Sequence, residues 1–92
     1  YYTTTTDFEA FTPTALLHDP GFSSIDATFL RDGSRLWMII KDETRFPAPR
    51  KHLRLAAAQG LLGPFGPLSE PFSPPGLWVE GPAAIKIGGE YL

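Results

Sequence analysis

The pattern of hydrophobic and polar residues predicts β-strands in the first half of the chain. Residues 24–31 are rich in β-branched and aromatic side chains, and Asp32-Gly33 follows them directly, as in a tight hairpin. Residues 35–41 are apolar on both faces, which is typical of an interior strand packed on two sides. These two segments are therefore predicted to form an antiparallel pair.

A third strand is predicted from about residue 51 to residue 59, where apolar and polar side chains alternate. The competing interpretation is an amphipathic helix over residues 53–62, which Gly60 and Gly63 would interrupt. Residues 60–76 hold 4 Gly and 5 Pro, so they are expected to form a loop with at most a short outer strand. The C-terminal end predicts a second hairpin, with a strand over residues 79–87, a turn at Gly88-Gly89 and a strand over residues 90–92.

Composition supports an all-β fold and excludes several classes of protein. The chain has 92 residues with 10 Pro, 9 Gly and 13% aromatic residues, a mixture that suits short strands and tight turns. A net charge of −2 without a basic cluster argues against nucleic-acid binding. The apolar runs are far shorter than the roughly 20 residues that span a bilayer, so no membrane partner is expected. Without cysteine, and with only His18 and His52 as nitrogen ligands, no metal site is expected.

An internal repeat relates the two predicted hairpins. Ile25-Asp26-Ala27 and Val79-Glu80-Gly81 each open a strand seven to nine residues before a glycine turn. Repeats of about 40–50 residues with four strands are typical of β-propeller blades, which cannot bury both faces without neighbours. We therefore predict a propeller fragment of about one and a half to two blades. Residues 1–22 would end one blade, residues 23–76 would form a complete blade, and residues 77–92 would begin the next.

Asp26 and Glu80 are the candidate catalytic residues. The first strand of each blade lies innermost, so equivalent positions of two blades face one mouth of the central channel. Two carboxylates held close together and partly out of water cannot both ionise easily, so one of them can act as a general acid near neutral pH. The alternative is that both are solvated surface charges, as most Asp and Glu residues are. Their matching positions in a repeat favour the paired site.

Three further residues are candidates for substrate binding. Phe22 and Trp78 lie four and two residues before the acids, where an aromatic face can stack on a sugar ring; the alternative for both is core packing. Lys41 lies where the hairpin after Asp26 returns to the same mouth. Its ammonium can bond a sugar hydroxyl or a neighbouring carboxylate, and the alternative is a solvated loop charge.

Five short stretches carry a family resemblance: Thr5-Thr6-Asp7-Phe8, Ser24-Ile25-Asp26-Ala27, Lys41-Asp42-Glu43-Thr44, Gly63-Pro64-Phe65 and Val79-Glu80-Gly81-Pro82. In this order they resemble the catalytic domain of glycoside hydrolase family 43, five-bladed propellers that include arabinanases, arabinofuranosidases and β-xylosidases. The resemblance covers essentially the whole chain. It implies inversion at an arabinose- or xylose-containing substrate, with Glu80 as the general acid and Asp26 as the acid that orients Glu80 and tunes its acidity.

The resemblance also implies what this chain lacks. The general base belongs to an earlier blade, and Asp7, in a Thr-Asp-Phe sequence, is predicted to form a turn instead. Inversion needs both base and acid, so the isolated chain is expected to be inactive, with the remaining blades as partners and no cofactor. A secreted or periplasmic location follows from the resemblance alone. The alternative function is a non-catalytic propeller fragment that self-assembles, or that binds carbohydrate or protein, in part through its proline-rich stretches 64–67 and 71–74.

Overall fold

The computed structural model describes residues 1–74 and 76–92, and this part of the chain is all-β, as predicted. The strands are β1 (Ser24–Asp32), β2 (Arg35–Asp42), β3 (Leu53–Ala58), β4 (Lys86–Ile87) and β5 (Glu90–Tyr91). Within these residues there is no helix, and accordingly none that is long and apolar enough to cross a membrane. Pro75, part of the predicted 60–76 loop, lies outside the described residues.

Strands β1, β2 and β3 form an antiparallel sheet in that order. The hairpin between β1 and β2 has a two-residue loop, Gly33-Ser34, whose first position has a φ of 58°. A positive φ at this position matches the twist of the two strands and is most easily adopted by glycine. The prediction of a third strand rather than a helix is confirmed by the pairing of β3 with β2.

One face of this sheet carries the closed core. Met38, Ile40 and Ala56 are buried there. The partly buried side chains packed on them are Leu17, Phe22, Phe29, Phe65 and Leu68. The segment before β1 and the loop after β3 therefore cover this face together.

The other face is covered incompletely by the C-terminal residues. A cavity of about 620 Å³ separates the sheet from that segment. Its walls include Leu30, Trp37, Ile39, Leu53 and Leu55 from the sheet and residues 82–84, Tyr91 and Leu92 from the C-terminal end. Trp37 belongs to the strand that was predicted to be packed on both sides, but it is half-buried and lines this open cavity, with the Arg35 guanidinium 5.3 Å from its ring.

The free edge of β3 is occupied by an irregular extended segment, residues 66–73. The amide of Ser69 donates to the Leu55 carbonyl at 2.7 Å, and the amide of Phe72 donates to the Leu53 carbonyl at 3.1 Å. In return, the amides of Leu55 and Leu53 donate to the hydroxyls of Ser69 and Ser73, each at 3.0 Å. Serine hydroxyls thus take the place of backbone carbonyls as acceptors. The backbone amides and carbonyls of Leu53 and Leu55 on this edge are therefore hydrogen-bonded without a regular strand.

The predicted C-terminal hairpin is confirmed at its turn, but the strand predicted over residues 79–87 is wrong in its first part. Only Lys86–Ile87 is a strand, and it pairs with β5 across Gly88-Gly89. A proline has no amide to give to a ladder, and Gly81 has a φ of 47°, so the Gly81-Pro82 step prevents regular pairing. Backbone pairing begins at Ile85, which exchanges two hydrogen bonds of 3.0 Å with Leu92, whereas Glu80 and Gly81 are attached to the sheet through the side chains of Lys41 and Asp26.

Candidate functional site

Asp26 lies on a β-bulge near the start of β1. Between the pairs Ile25–Lys41 and Thr28–Ile39, two residues of β1 oppose the single residue Ile40 of β2. Asp26 has a φ of 56°, in the left-handed region that Asp tolerates better than most residues. Such a conformation costs about 1–3 kcal/mol, and bulges commonly redirect a side chain beside a functional site.

The bulge brings Asp26 to the segment that contains Glu80. The backbone amide of Gly81 donates a hydrogen bond to Asp26 Oδ2 at 3.2 Å, across 55 positions of sequence. Gly81 directly follows Glu80, so the structure places the two predicted acids at the same end of the sheet. Asp26 and Glu80 are both exposed, the Glu80 side chain to 68%, so their exposure agrees with the alternative of solvated charges.

Lys41 contacts Glu80 from inside the molecule. It lies in β2 opposite Ile25, and it is 0% exposed. Its ammonium is 2.7 Å from Glu43 Oε1 and also forms an ion pair with Glu80, although neither contact has the direction of a regular hydrogen bond. Burial by itself lowers the pKa of Lys41, but the two carboxylates outweigh burial and raise it. The neighbouring-carboxylate interpretation is therefore observed, and the solvated loop charge is wrong.

Glu43 is the shared partner of two lysines. Its side chain is 9% exposed, and it forms ion pairs with Lys41 and Lys51. These two ammonium groups lower its pKa to about 2, so Glu43 is ionised at neutral pH. Glu43 belongs to the stretch Lys41-Asp42-Glu43-Thr44, which carries part of the family resemblance, but no role was predicted for it. A signal was present, because Lys41 directly follows the apolar run 36–40 in a strand expected to be packed on both faces, and a buried lysine requires a carboxylate.

The two aromatic candidates are in different environments. Phe22 packs on the closed core and against the Arg54 guanidinium, 5.5 Å from its ring, so the core-packing alternative is the one observed. Arg54 in turn donates to the buried carboxylate of Asp42 at 3.2 Å. Trp78 is 71% exposed, and the Lys51 ammonium lies 5.7 Å from its ring centre. Of the two, only Trp78 presents a ring to solvent beside Glu80.

A second cavity of about 200 Å³ adjoins Asp26 on the side of the N-terminal segment. Its walls include Tyr1, Leu17, His18, Ser24, Asp26 and Ile40. His18, for which no metal-binding role is expected from the sequence, is one of these residues. In the structure its Nε2 is buried with no hydrogen-bond partner among the described residues, and its ring packs edge-on against Phe65.

Asp7 forms a turn, as predicted. Its carboxylate accepts the amides of Glu9 and Ala10 at 2.9 and 3.0 Å, and these hydrogen bonds lower its pKa. Over residues 1–74 and 76–92, no three His, Asp or Glu side chains come together in a way that could hold a metal ion.

Comparisons of this chain with protein-family models, curated proteins and solved structures found no match. Its function is therefore inferred from the residues themselves and their geometry.

Proposed function

We propose that this chain supplies part of the active site of an inverting glycoside hydrolase, with Glu80 as the general acid and Asp26 as its orienting acid. The observation that carries the proposal is the hydrogen bond from the Gly81 amide to Asp26 Oδ2 at 3.2 Å. It ties the backbone beside one acid to the carboxylate of the other, although the two residues are far apart in sequence. A pair of carboxyl groups is what glycoside hydrolysis needs.

Glu80 is suited to giving a proton to a leaving oxygen. Its side chain is largely exposed, so it can reach a bound substrate. The buried Lys41 ammonium contacts it from the protein side. In this proposal Glu80 gives its proton to the leaving oxygen and becomes a carboxylate, the form in which it is the ion-pair partner of Lys41. Asp26 holds the adjacent peptide unit and thereby the direction from which Glu80 approaches.

The general base comes from another part of the protein in this proposal. Inverting enzymes place base and acid about 6.5–9.5 Å apart, with the attacking water between them. Asp7 is engaged in its own turn and is not the base. The chain by itself therefore binds the leaving-group side of the reaction and does not complete hydrolysis.

The architecture supports assignment to a propeller fragment of about one and a half to two blades. Three antiparallel strands and the extended segment 66–73 give the four positions of a blade, in sequence order from β1 outward. The N-terminal segment packs on one face of this sheet and the C-terminal segment on the other. Neighbouring blades cover a central blade in this way. In this arrangement β1 is innermost, which puts Asp26 beside the channel.

The substrate class follows from the family resemblance and from Trp78. An exposed aromatic ring two residues before the general acid offers a stacking surface to a pyranose or furanose ring. Arabinose- or xylose-containing oligosaccharides are the substrates that the resemblance implies, with Trp78 in contact with the sugar.

The test uses Glu80→Gln in the full-length protein to which the chain belongs. Activity on oligosaccharides, whose leaving group needs a proton, is expected to fall by about 10²–10⁴-fold. Aryl glycosides with an acidic phenol as leaving group are expected to lose less than about tenfold, because they need little protonation. Glu70→Gln, an exposed carboxamide substitution on the outer segment, serves as the control. Equal losses on both substrate types would contradict the role of Glu80.

A second function, carbohydrate binding without turnover, is favoured by the exposure of Trp78 alone. It predicts an oligosaccharide affinity that drops in Trp78→Ala while no reducing ends are released by the full-length protein. Release of reducing ends that stops in Glu80→Gln would exclude it.

A further inference from the structure

Residues 78–81 are attached to the end of the sheet at three points. The Lys51 ammonium lies 5.7 Å from the Trp78 ring, Lys41 forms an ion pair with Glu80, and Asp26 accepts the Gly81 amide at 3.2 Å. None of these attachments is part of a β-ladder, because β4 begins only at Lys86. The position of Glu80 and Trp78 therefore depends on side chains that come from β1, β2 and the loop between β2 and β3.

Two of the three attachments depend on one carboxylate. Glu43 pairs with Lys41 through Oε1 and with Lys51 through Oε2. The lysine side chains each have several freely rotating bonds, and without a fixed partner they would not hold Glu80 and Trp78 in one place. Glu43 supplies that fixed partner, since it follows directly on β2 and its amide donates to the Ser23 carbonyl at 2.8 Å.

We propose that Glu43 is the positioning residue for Glu80 and Trp78, acting through Lys41 and Lys51. We call these three residues, Glu43, Lys41 and Lys51, the Glu43 clamp. The clamp orders residues 78–81 on the end of the sheet, and its value to catalysis rests on the proposed function of Glu80.

Burial explains why Glu43 can act in this way. Lys41 is fully buried, and Glu43 is nearly so, whereas Glu80 and Trp78 are mostly exposed. Ion pairs shielded from solvent are screened less and hold their geometry better than exposed pairs. The buried pair of Glu43 and Lys41 therefore forms the rigid end of the clamp, and the exposed residues attach to it.

Amide hydrogen exchange tests the clamp without any assay of activity. The Gly81 amide reports the docking of residues 78–81, and the Ser69 amide, bonded to the Leu55 carbonyl, reports the integrity of the sheet. In Glu43→Gln we expect Gly81 to exchange at least about tenfold faster while Ser69 is unchanged. Glu70→Gln, an exposed carboxamide substitution on the outer segment, is the control and should leave the Gly81 exchange rate unchanged.

Unchanged exchange of Gly81 in Glu43→Gln would overturn the proposal. If the Ser69 amide also exchanges faster in Glu43→Gln, the sheet itself is disturbed. The clamp is then tested with Glu80→Gln. That variant breaks the same chain of ion pairs at its exposed end, where loss of the fold is not expected. Faster exchange of Gly81 in Glu80→Gln would then support the clamp, and an unchanged rate would overturn it.

Kinetics separate this proposal from the proposed function. In the full-length protein, Glu43→Gln should lower kcat on oligosaccharides more than on aryl glycosides with a good leaving group, as expected for a misplaced acid. Lys51→Arg, which keeps the positive charge, should retain most of the wild-type activity, whereas Lys51→Gln should lose activity. If Gly81 exchanges faster in Glu43→Gln but the unsubstituted protein has no glycosidase activity, the clamp is supported and the proposed function is contradicted. If Gly81 exchange is unchanged in Glu43→Gln and the unsubstituted protein is an active glycosidase, only the clamp is contradicted.

Discussion

Asp26 is positioned by its backbone rather than by side-chain packing. Its left-handed φ of 56° and the bulge opposite Ile40 turn its carboxylate toward Gly81. Strain of this kind persists where the surrounding structure fixes it, here through pairing on both sides of the bulge. Asp and Asn are the residues other than glycine that accept such a conformation most readily, so both the chemistry and the backbone favour Asp at this position.

Replacing Asp26 by Gly and by Ala separates the two requirements. Both variants lose the carboxylate and keep the left-handed backbone conformation. This conformation costs alanine about 1–2 kcal/mol, whereas glycine adopts it without steric strain. This cost exceeds the additional chain entropy of glycine, about 0.4–1 kcal/mol. In urea denaturation we expect Asp26→Gly to be more stable than Asp26→Ala by about 1 kcal/mol. The control is Ala27→Gly at the next position, where φ is not positive and glycine should destabilise. Equal stability of the two Asp26 variants would show that the backbone there is not strained.

At the scale of single residues, the sequence predicted which residues lie close together better than it predicted the environment of each side chain. Asp26 and Glu80 were identified from a repeat, and the structure brings them to one place. Phe22 was predicted as a possible sugar contact, yet it packs on the core, because an aromatic residue beside a strand fits a core as well as a binding site. Glu43 was missed because it lies just after the predicted strand, although its partners Lys41 and Lys51 are near it in sequence.

Among the elements, the hairpin of β1 and β2 was the most predictable. Its strands have strong β propensity, and its turn has a glycine where a positive φ is needed. The first part of the strand predicted over residues 79–87 was wrong, although Val79 and Ile85 fit the pattern. Pro82 has no backbone amide to donate to a ladder. The alternation of apolar and polar side chains does not show this missing hydrogen bond.

The outer segment 66–73 satisfies the edge of β3 by hydroxyl groups, and its stability can be tested there. Ser73 is buried, and its hydroxyl accepts the Leu53 amide at 3.0 Å. Ser73→Ala leaves that amide without a partner, so we expect a loss of about 1–3 kcal/mol in the free energy of unfolding. Ser34→Ala, in the exposed hairpin turn, should change stability by no more than about 0.5 kcal/mol. A neutral Ser73→Ala in urea denaturation would mean that the hydroxyl does not hold the edge.

On the scale of the whole molecule, the sheet serves as a platform between two segments that differ in how they attach. The N-terminal segment is joined through an apolar core, whereas residues 78–81 are joined through ion pairs and one hydrogen bond. The all-β class followed from composition and turn residues, because short strands and glycine turns leave few other solutions. The incomplete cover over Trp37 and Ile39 could not be predicted, since it depends on where the C-terminal segment docks rather than on the strand pattern.

The central claim is that Asp26 and Glu80 act as one catalytic unit, and a double-mutant cycle in the full-length protein tests it most directly. The rates of oligosaccharide hydrolysis are compared for Asp26→Asn, Glu80→Gln and the double variant. If Asp26 acts only through Glu80, the double variant should be no slower than Glu80→Gln, within about threefold, because the second substitution removes nothing further. Losses that multiply in the double variant would show that the two residues act independently and would contradict the account.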